Sequence, residues 1–201
     1  PVLSISGRLA ALLKGERTAL NFLQRLSGIA TNVRTFVETV GKTRVRLVDT
    51  RKTTPGWRIL EKYAVRIGGA ENHRFGLYDG VLIKDNHIVA AGGVQTAITR
   101  VRRKISHLVK IEVETSDMGQ VQEALAAGAD VIMLDNMAIP QIKEAVRAIA
   151  GRALVEVSGG VKKKDLGTLA ATGVDIISIG ALTHAARCVD LSMRLKAAIK
   201  S

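Results

Sequence analysis

Short apolar runs alternate along this chain with longer stretches in which apolar residues recur every three or four positions. The short runs have the length of buried β-strands, and the longer stretches have the period of amphipathic helices. Six runs qualify as strands, at residues 45–48, 81–83, 108–113, 131–134, 153–157 and 176–179. Strands this apolar, each followed by a helix, predict a parallel sheet covered by helices.

The positions of the polar residues favour a barrel over a doubly wound sheet. Polar, charged or glycine residues follow every predicted strand, and no Gly-x-Gly-x-x-Gly fingerprint follows the first one. Because six strands fall short of the usual eight, the predicted fold class is α/β, an incomplete TIM-like β/α barrel of about six parallel strands, preceded by a helical segment.

Helical periodicity starts before the first strand and predicts a helix from Glu16 to Val40, broken or bent at Ser27-Gly28. The predicted domains are therefore residues 1–40, a helical segment remaining from an N-terminal region, and residues 41–201, the catalytic barrel domain. Further helices are predicted from Pro55 to Gly68-Gly69, from about Gly93 to Ile105, after an N-cap at Ser116, from Pro140, and at the end through Leu195.

Composition indicates the cellular compartment. The chain has 201 residues, is 47% hydrophobic, and has no apolar run near the ~20 residues of a membrane span. Its single cysteine, Cys188, excludes an internal disulfide framework and fits a reducing compartment. We therefore expect a cytoplasmic protein, with Cys188 as a small core residue of the last helix.

The formal net charge of +12 points to a polyanionic partner. A basic nucleic-acid-binding domain is one interpretation. However, aromatic residues make up only 3% of the chain, too few for base-stacking platforms, and the Lys and Arg residues are mostly scattered. The alternative is a small substrate that carries several negative charges.

Several cationic residues fall on loops that follow or lie between predicted strands. The segment 49–56 (Asp-Thr-Arg-Lys-Thr-Thr-Pro-Gly) places Arg51 and Lys52 on a strand-to-helix loop, where backbone N–H groups favour anions. The polar loop 70–79 adds His73 and Arg74, and strand 81–83 ends at Lys84. At one barrel mouth these groups repel one another unless an anion neutralises them. Arg suits carboxylates and Lys suits phosphates, so the predicted substrate bears both.

The ends of the later strands supply complementary chemistry. Ser158-Gly159-Gly160 and Gly180-Ala181 each precede a predicted helix and together favour a phosphate cradle. Glu114 and Asp135 are the only acidic residues expected opposite the cations. They can accept hydrogen bonds from sugar hydroxyls or hold Mg²⁺, usually through water.

These motifs resemble, in order, those of the quinolinate phosphoribosyltransferase family. The resemblance is carried by residues 16–21 (Glu-Arg-Thr-Ala-Leu-Asn), 26–31 (Leu-Ser-Gly-Ile-Ala-Thr), 49–56, Asn72-His73-Arg74, 82–87 (Leu-Ile-Lys-Asp-Asn-His) and Leu134-Asp135-Asn136. It spans nearly the whole chain, and the blocks at 49–53 and 84–87 are highly specific. It implies transfer of phosphoribose from 5-phosphoribosyl-1-pyrophosphate to the ring nitrogen of quinolinate, with loss of the 2-carboxylate. The implied products are nicotinate mononucleotide, pyrophosphate and CO₂, in de novo NAD synthesis.

The resemblance also implies roles for individual residues. Lys52, Lys84, Glu114 and Asp135 would be catalytic, the two acids reaching Mg²⁺ indirectly. The implied substrate-binding residues are Arg17, Thr50, Arg51, Lys52, His73, Arg74, Lys84, Glu114, Asp135, Ser158, Gly159, Gly160, Ile179, Gly180 and Ala181. The family further implies a homodimer in which Arg17 completes the partner's site, and no nucleic-acid or membrane partner.

Two other enzymes stay open at this point. A paralogous phosphoribosyltransferase would use another acceptor, and Lys84 at a strand end would suit a Schiff-base aldolase. The role of His87, which could orient the Lys84 loop, is undecided.

Overall fold

The computed structural model describes residues 1–196. A long helix, α1 (Leu9–Val40), precedes the first strand. The strands are β1 (Arg46–Val48), β2 (Val81–Ile83), β3 (Ile111–Thr115), β4 (Val131–Asp135), β5 (Leu154–Ser158) and β6 (Ile176–Ser178). The remaining α-helices are α2 (Arg58–Gly68), α3 (Asp85–Ala91), α4 (Val94–Arg102), α5 (Met118–Ala126), α6 (Ile139–Ile149), α7 (Leu166–Ala170) and α8 (Ala181–His184), and a 3₁₀ turn, Lys163–Asp165, precedes α7.

The six strands form one parallel sheet in the order β1-β6-β5-β4-β3-β2. Consecutive strands β1 and β2 therefore stand at opposite ends of the sheet, which is the order of a barrel opened along one seam. A single parallel bridge, Val48 to Glu71, links β1 to the loop that enters this seam. The predicted incomplete barrel of six parallel strands is confirmed.

The two faces of the sheet carry different buried side chains, apolar on one face and partly polar on the other. Ile111, Val113, Ile132 and Leu134 belong to the apolar core that the helices share. Successive strand residues point to opposite faces. The other face of β3, β5 and β6 therefore carries buried polar side chains, namely Glu112, Glu156 and Ser178. The barrel interior is polar below the strand ends where the site was predicted.

Helix α1 differs from its prediction in two respects. It begins at Leu9 rather than Glu16, and it runs without a break through Ser27 and Gly28. A Cβ on Gly28 would lie 2.0 Å from the carbonyl oxygen of Arg187, so this glycine admits a neighbouring backbone instead of bending the helix. The C-terminal half of α1 packs into the same core as the barrel strands.

Other predicted boundaries were wrong for local reasons. Helix α2 begins at Arg58, not Pro55, because Gly56 adopts a positive φ of 79° that a helix cannot contain. The short helix α3 was not predicted, since its polar Lys-Asp-Asn-His start reads as a loop. The N-cap of α5 is Asp117 rather than Ser116, since the Asp117 carboxylate accepts from the Gln120 N–H at 2.9 Å.

The last helix is much shorter than predicted. It ends at His184, and the chain then continues along α1, where the Gln24 side chain donates to the Leu191 carbonyl at 2.9 Å. Cys188 is exposed on this segment, so the expectation that it is a core residue of a helix was wrong. Residues 197–201 of the predicted domain 41–201 lie outside the described residues, and the boundary at residue 40 stays a prediction.

None of the helices within residues 1–196 has the length and hydrophobicity that crossing a bilayer requires.

Candidate active site

The loop after β1 meets the turn after β6. The Thr183 hydroxyl donates to the Lys52 carbonyl at 2.8 Å, and the Lys52 N–H donates to the Thr50 hydroxyl at 3.1 Å. The Lys52 side chain lies over Gly180, where a Cβ would come within 2.9 Å of the lysine Cδ. Two regions predicted separately, a cationic loop and a glycine turn, therefore form one surface.

A buried ion pair anchors the polar loop 70–80. Lys62 on α2 and Asp49 after β1 are both inaccessible to solvent and are in direct contact. Asp49 also accepts the His73 N–H at 2.9 Å, while Lys62 donates to the His73 carbonyl at 2.9 Å. Both backbone polar groups of His73 are thus fixed. Burial raises the pKa of Asp49 and lowers the pKa of Lys62, and their contact opposes both shifts.

The His73 side chain is held by two buried glutamates inside the barrel. Its Nε2 lies 2.9 Å from Glu112 and 3.6 Å from Glu156. Its Nδ1 accepts the Arg74 backbone N–H at 2.8 Å. The Nδ1 lone pair is therefore occupied, so the heavy-atom geometry assigns the imidazole proton to Nε2, from where it is donated to Glu112.

Two influences on the protonation of His73 oppose each other. Burial lowers its pKa, but the Glu112 and Glu156 carboxylates raise the pKa by more, which favours imidazolium. The Arg74 N–H bound to Nδ1 disfavours imidazolium, since a second proton there would break that hydrogen bond. The geometry observed is that of the neutral ring.

Glu112 and Glu156 share one strongly desolvated environment. Burial, and then the neighbouring Glu112 charge, raises the pKa of Glu156 to about 8. Within residues 1–196, the Oε1 atoms of both glutamates and the Ser178 hydroxyl have no hydrogen-bond partner. At neutral pH Glu156 therefore favours its protonated form. These acids were missed because each stands alone within an apolar strand sequence.

The predicted arginines of the two loops approach each other. Burial lowers the pKa of Arg74, and the charge of Arg51 lowers it further. Arg74 donates to the Gly80 carbonyl at 3.0 Å. In the part of the chain that the structure describes, no carboxylate lies within salt-bridge distance of Arg51, Lys52 or Arg74. We call these three residues the unpaired cations.

Lys84 is different, because it is already paired. Its ammonium group donates to Glu114 at 2.8 Å across β2 and β3. The His87 Nδ1 accepts the Lys84 backbone N–H at 2.9 Å, so His87 does orient the Lys84 loop. Lys84 and Glu114 therefore lie together at the neighbouring ends of β2 and β3.

The end of β4 is tied to the glycine turn after β5. The Asn136 side chain donates to Asp135 at 2.8 Å, and the Asn136 N–H donates to the Ser158 carbonyl at 3.1 Å. Gly159 and Gly160 have φ of 86° and 56°, and a Cβ on Gly159 would lie 2.4 Å from the Asn136 Oδ1. The turn therefore requires glycine, and Asn136 is a supporting residue that its place in the Leu-Asp-Asn motif could have indicated.

Cavities only partly coincide with this site. One cavity of about 270 Å³ borders Ser158-Gly159-Gly160 between α6 and α7. Another, of about 300 Å³, is lined by residues 40–41, 43–47 and 69–71 and contains none of the predicted site residues.

Three further predicted residues have distinct positions. Ile179 is buried after β6 and donates its N–H to the Val48 carbonyl at 3.0 Å, and Ala181 is the first residue of α8. Arg17 is exposed on the N-terminal half of α1. Within residues 1–196 the structure gives Arg17 no ion pair with the other predicted residues.

Two sets of residues offer possible ligands for a metal ion. His73, Glu112 and Glu156 offer ligand atoms within 4.8 Å of one another, but the Nε2 of His73 carries its proton and has no lone pair to give. Glu114 and Asp135 suit Mg²⁺ better, since both are half-buried carboxylates at neighbouring strand ends.

Comparison with known proteins gives one consistent result. The sequence model described as quinolinate phosphoribosyl transferase, C-terminal domain, matches residues 29–194. The probable carboxylating nicotinate-nucleotide pyrophosphorylase of Bacillus subtilis is 48% identical over 192 residues, which is 96% of this chain and 66% of the relative. Its counterpart in Methanocaldococcus jannaschii is 46% identical over 202 residues, 96% of this chain and 71% of the relative.

Solved structures agree with these sequence relatives. The crystal structure of NadC from Streptococcus pyogenes has a TM-score of 0.89 and 47% sequence identity, and the match covers 94% of this chain and 66% of that one. This chain thus spans about two thirds of the length of the relatives it matches.

Proposed function

Because the chain belongs to the quinolinate phosphoribosyltransferase family, we propose that it transfers phosphoribose from 5-phosphoribosyl-1-pyrophosphate to the ring nitrogen of quinolinate. The 2-carboxylate is then lost, and the products are nicotinate mononucleotide, pyrophosphate and CO₂. The relatives named carboxylating nicotinate-nucleotide pyrophosphorylase support this reaction.

The unpaired cations carry the proposal. Arg51 and Arg74 lie close enough for the charge of one to lower the pKa of the other. Cations held together without acidic partners favour an anionic guest, and guanidinium groups bind carboxylates in bidentate fashion. Quinolinate, with two adjacent carboxylates, matches two neighbouring arginines. A second acceptor class, as in a paralogous phosphoribosyltransferase, would lack this match.

The donor would occupy the opposite side of the mouth. Its 5-phosphate suits the turns at Gly159-Gly160 and Gly180, because a glycine has no Cβ to shield its backbone N–H from an anion. Lys52 lies over Gly180 and so can contact an anion of the donor while remaining near Arg51.

Transfer would proceed by charge stabilisation, with no covalent enzyme intermediate. As the bond from the anomeric carbon to pyrophosphate breaks, positive charge develops on the ribose, and Glu114 and Asp135 are the carboxylates able to stabilise it. Lys84 donates to Glu114 and can meet the leaving pyrophosphate. Mg²⁺, held through water by Glu114 and Asp135, would supply further neutralisation of the pyrophosphate.

Loss of CO₂ leaves an electron pair at C2 of the pyridine ring. The positive ring nitrogen and the surrounding cations stabilise this pair until a proton replaces the carboxylate. A Schiff-base aldolase fits less well, because its lysine must be neutral and Lys84 is paired with Glu114.

The assembly and compartment are also proposed. A homodimer would bring Arg17 of each subunit to the other's acceptor, which fits its exposed position away from the local ion pairs. The single exposed cysteine fits a reducing cytoplasm.

The test is an assay of nicotinate mononucleotide formed from quinolinate, 5-phosphoribosyl-1-pyrophosphate and Mg²⁺. It is run with the chain alone and with the unmatched segments of the Bacillus subtilis relative supplied. Product that requires both substrates and Mg²⁺ is expected in at least the second arm. Product from another acceptor, with none from quinolinate, would indicate the paralogous enzyme. An adduct of a carbonyl substrate that borohydride traps on Lys84 would indicate the aldolase. Affinity for nucleic acid without turnover would indicate a binding domain.

A further inference from the structure

The buried glutamates inside the barrel have no part in the proposed chemistry. Glu112 and Glu156 are 6% and 1% exposed, and their Oε1 atoms have no hydrogen-bond partner in the described chain. Burying two adjacent carboxylates is costly unless they do something that apolar residues cannot. What they contact is His73, which lies between them and the barrel mouth.

His73 has both ring nitrogens engaged by protein. Nε2 donates to Glu112, and Nδ1 accepts the Arg74 N–H. Its backbone is fixed as well, by Asp49 at the N–H and Lys62 at the carbonyl. Every polar group of His73 is therefore used to hold the chain in place at the residue before Arg74.

Arg74 is the unpaired cation that this arrangement places. Its backbone N–H is bound to His73, and its guanidinium is steadied by the Gly80 carbonyl at 3.0 Å. We propose that Glu112 and Glu156 are positioning residues for acceptor binding, which act through His73 to fix Arg74 at the barrel mouth. This inference rests on the proposed function, since it takes the acceptor to be a dicarboxylate bound by Arg74.

The proton on Glu156 explains how the cluster is tolerated. Glu112 accepts the Nε2–H of His73, and burial together with the neighbouring Glu112 raises the pKa of Glu156 to about 8, so Glu156 favours its uncharged form there at neutral pH. Glu156→Gln replaces the acid with an uncharged amide of the same size, so it separates the effect of the Glu156 charge from the effect of losing the side chain. Glu112→Met removes the acceptor of the Nε2–H and should release the imidazole.

The experiment measures KM for quinolinate and for the phosphoribosyl donor in four proteins: the wild type, Glu112→Met, Arg74→Lys and the double variant. Glu112→Met should raise KM for quinolinate about tenfold or more, because a buried donor loses its partner. KM for the donor should change by less than about twofold. In the Arg74→Lys background the same change should have little effect, since residues that act through one another are not additive.

The controls separate positioning from general damage. Glu144→Met, at an exposed position on α6, should match the wild type in both constants. Thermal unfolding checks that each variant is folded. Glu112→Gln, which keeps an acceptor oxygen, should keep the wild-type KM for quinolinate, and Glu112→Leu, which removes the acceptor, replaces Glu112→Met in the cycle if that variant does not fold.

The measurements distinguish failure of this inference from failure of the proposed function. A wild type that does not turn over quinolinate fails the function itself. If the wild type is active, one result overturns only the inference. In that result, Glu112→Met raises KM for quinolinate by the same factor in the wild-type and the Arg74→Lys backgrounds. The inference is also overturned if the purified wild type contains one divalent metal ion per chain and Glu156→Gln does not. The cluster of His73, Glu112 and Glu156 would then be a metal centre.

Discussion

The charged side chains of this barrel form two layers, one cationic and one acidic. The unpaired cations lie at the mouth, and the acids Glu112 and Glu156 lie beneath them, with His73 between. Glu112 lowers the electrostatic cost of placing Arg74 there, while burial keeps both acids from contacting Arg51 or Lys52 directly. The expectation that only Glu114 and Asp135 oppose the cations was therefore wrong.

The titration of Glu156 should be visible in stability. Its pKa is raised from 4.5 to about 8 in the folded protein, so the folded state binds this proton more tightly than the unfolded chain. The resulting stability is fully present below pH 4.5 and is lost as pH rises towards about 8. Thermal unfolding midpoints should fall by roughly 5 °C or more between these limits in the wild type and clearly less in Glu156→Gln.

An exposed glutamate supplies the comparison for this measurement. Glu144→Gln on α6 removes an exposed carboxylate and should keep the wild-type pH dependence. Parallel curves for the wild type and Glu156→Gln would mean that Glu156 is ionised throughout and that the buried pair shares no proton.

A sequence can place candidate residues where the chemistry follows a strand, but not where it lies inside one. Arg51, Lys84 and Asp135 stand directly after apolar runs, so their positions follow from the fold. Glu112 and Lys62 are buried charges within elements, and a sequence shows such residues as ordinary polar positions of a strand or helix. Only the fold reveals that they meet His73.

Elements position the site through close contacts between their ends. Helix α8 begins beneath Lys52, and the turn after β5 packs against Asn136. The C-terminal segment 185–191 lies on α1, which is possible because Gly28 has no side chain where the Arg187 carbonyl approaches. α8 was predicted too long because the apolar residues that follow it contact α1 instead of continuing the helix.

Glycine substitutions in α1 test this packing. Gly28→Ala would place a Cβ 2.0 Å from the Arg187 oxygen, so the segment must move and the free energy of unfolding should fall by about 2 kcal/mol or more. Gly15→Ala, in the same helix with nothing within 4 Å, should be neutral or stabilise by up to about 1 kcal/mol. Denaturant unfolding measures both values.

The difference between the two glycine variants shows whether the contact between α1 and the C-terminal segment stabilises the protein. If Gly28→Ala were as stable as Gly15→Ala, the contact between α1 and the C-terminal segment would be dispensable, and α8 would be positioned by the barrel alone.

For the whole molecule, the open seam between β1 and β2 is what admits the loop with His73 and Arg74. The strand order leaves these two edges unpaired with each other, and the loop enters there through the Val48–Glu71 bridge. Sequence patterns predicted six strands and an incomplete barrel, but not which edge would stay open. That depends on non-local pairing, which local periodicity does not encode.

The most direct test of the account is calorimetric titration of quinolinate into the protein and into Arg51→Ala, Arg74→Ala and Arg147→Ala, the last being an exposed arginine on α6. If the unpaired cations bind the dicarboxylate, the first two variants should lose at least about tenfold in affinity and Arg147→Ala should bind as the wild type does. Equal affinity in all four proteins would contradict the account, because the acceptor would then bind somewhere other than the barrel mouth.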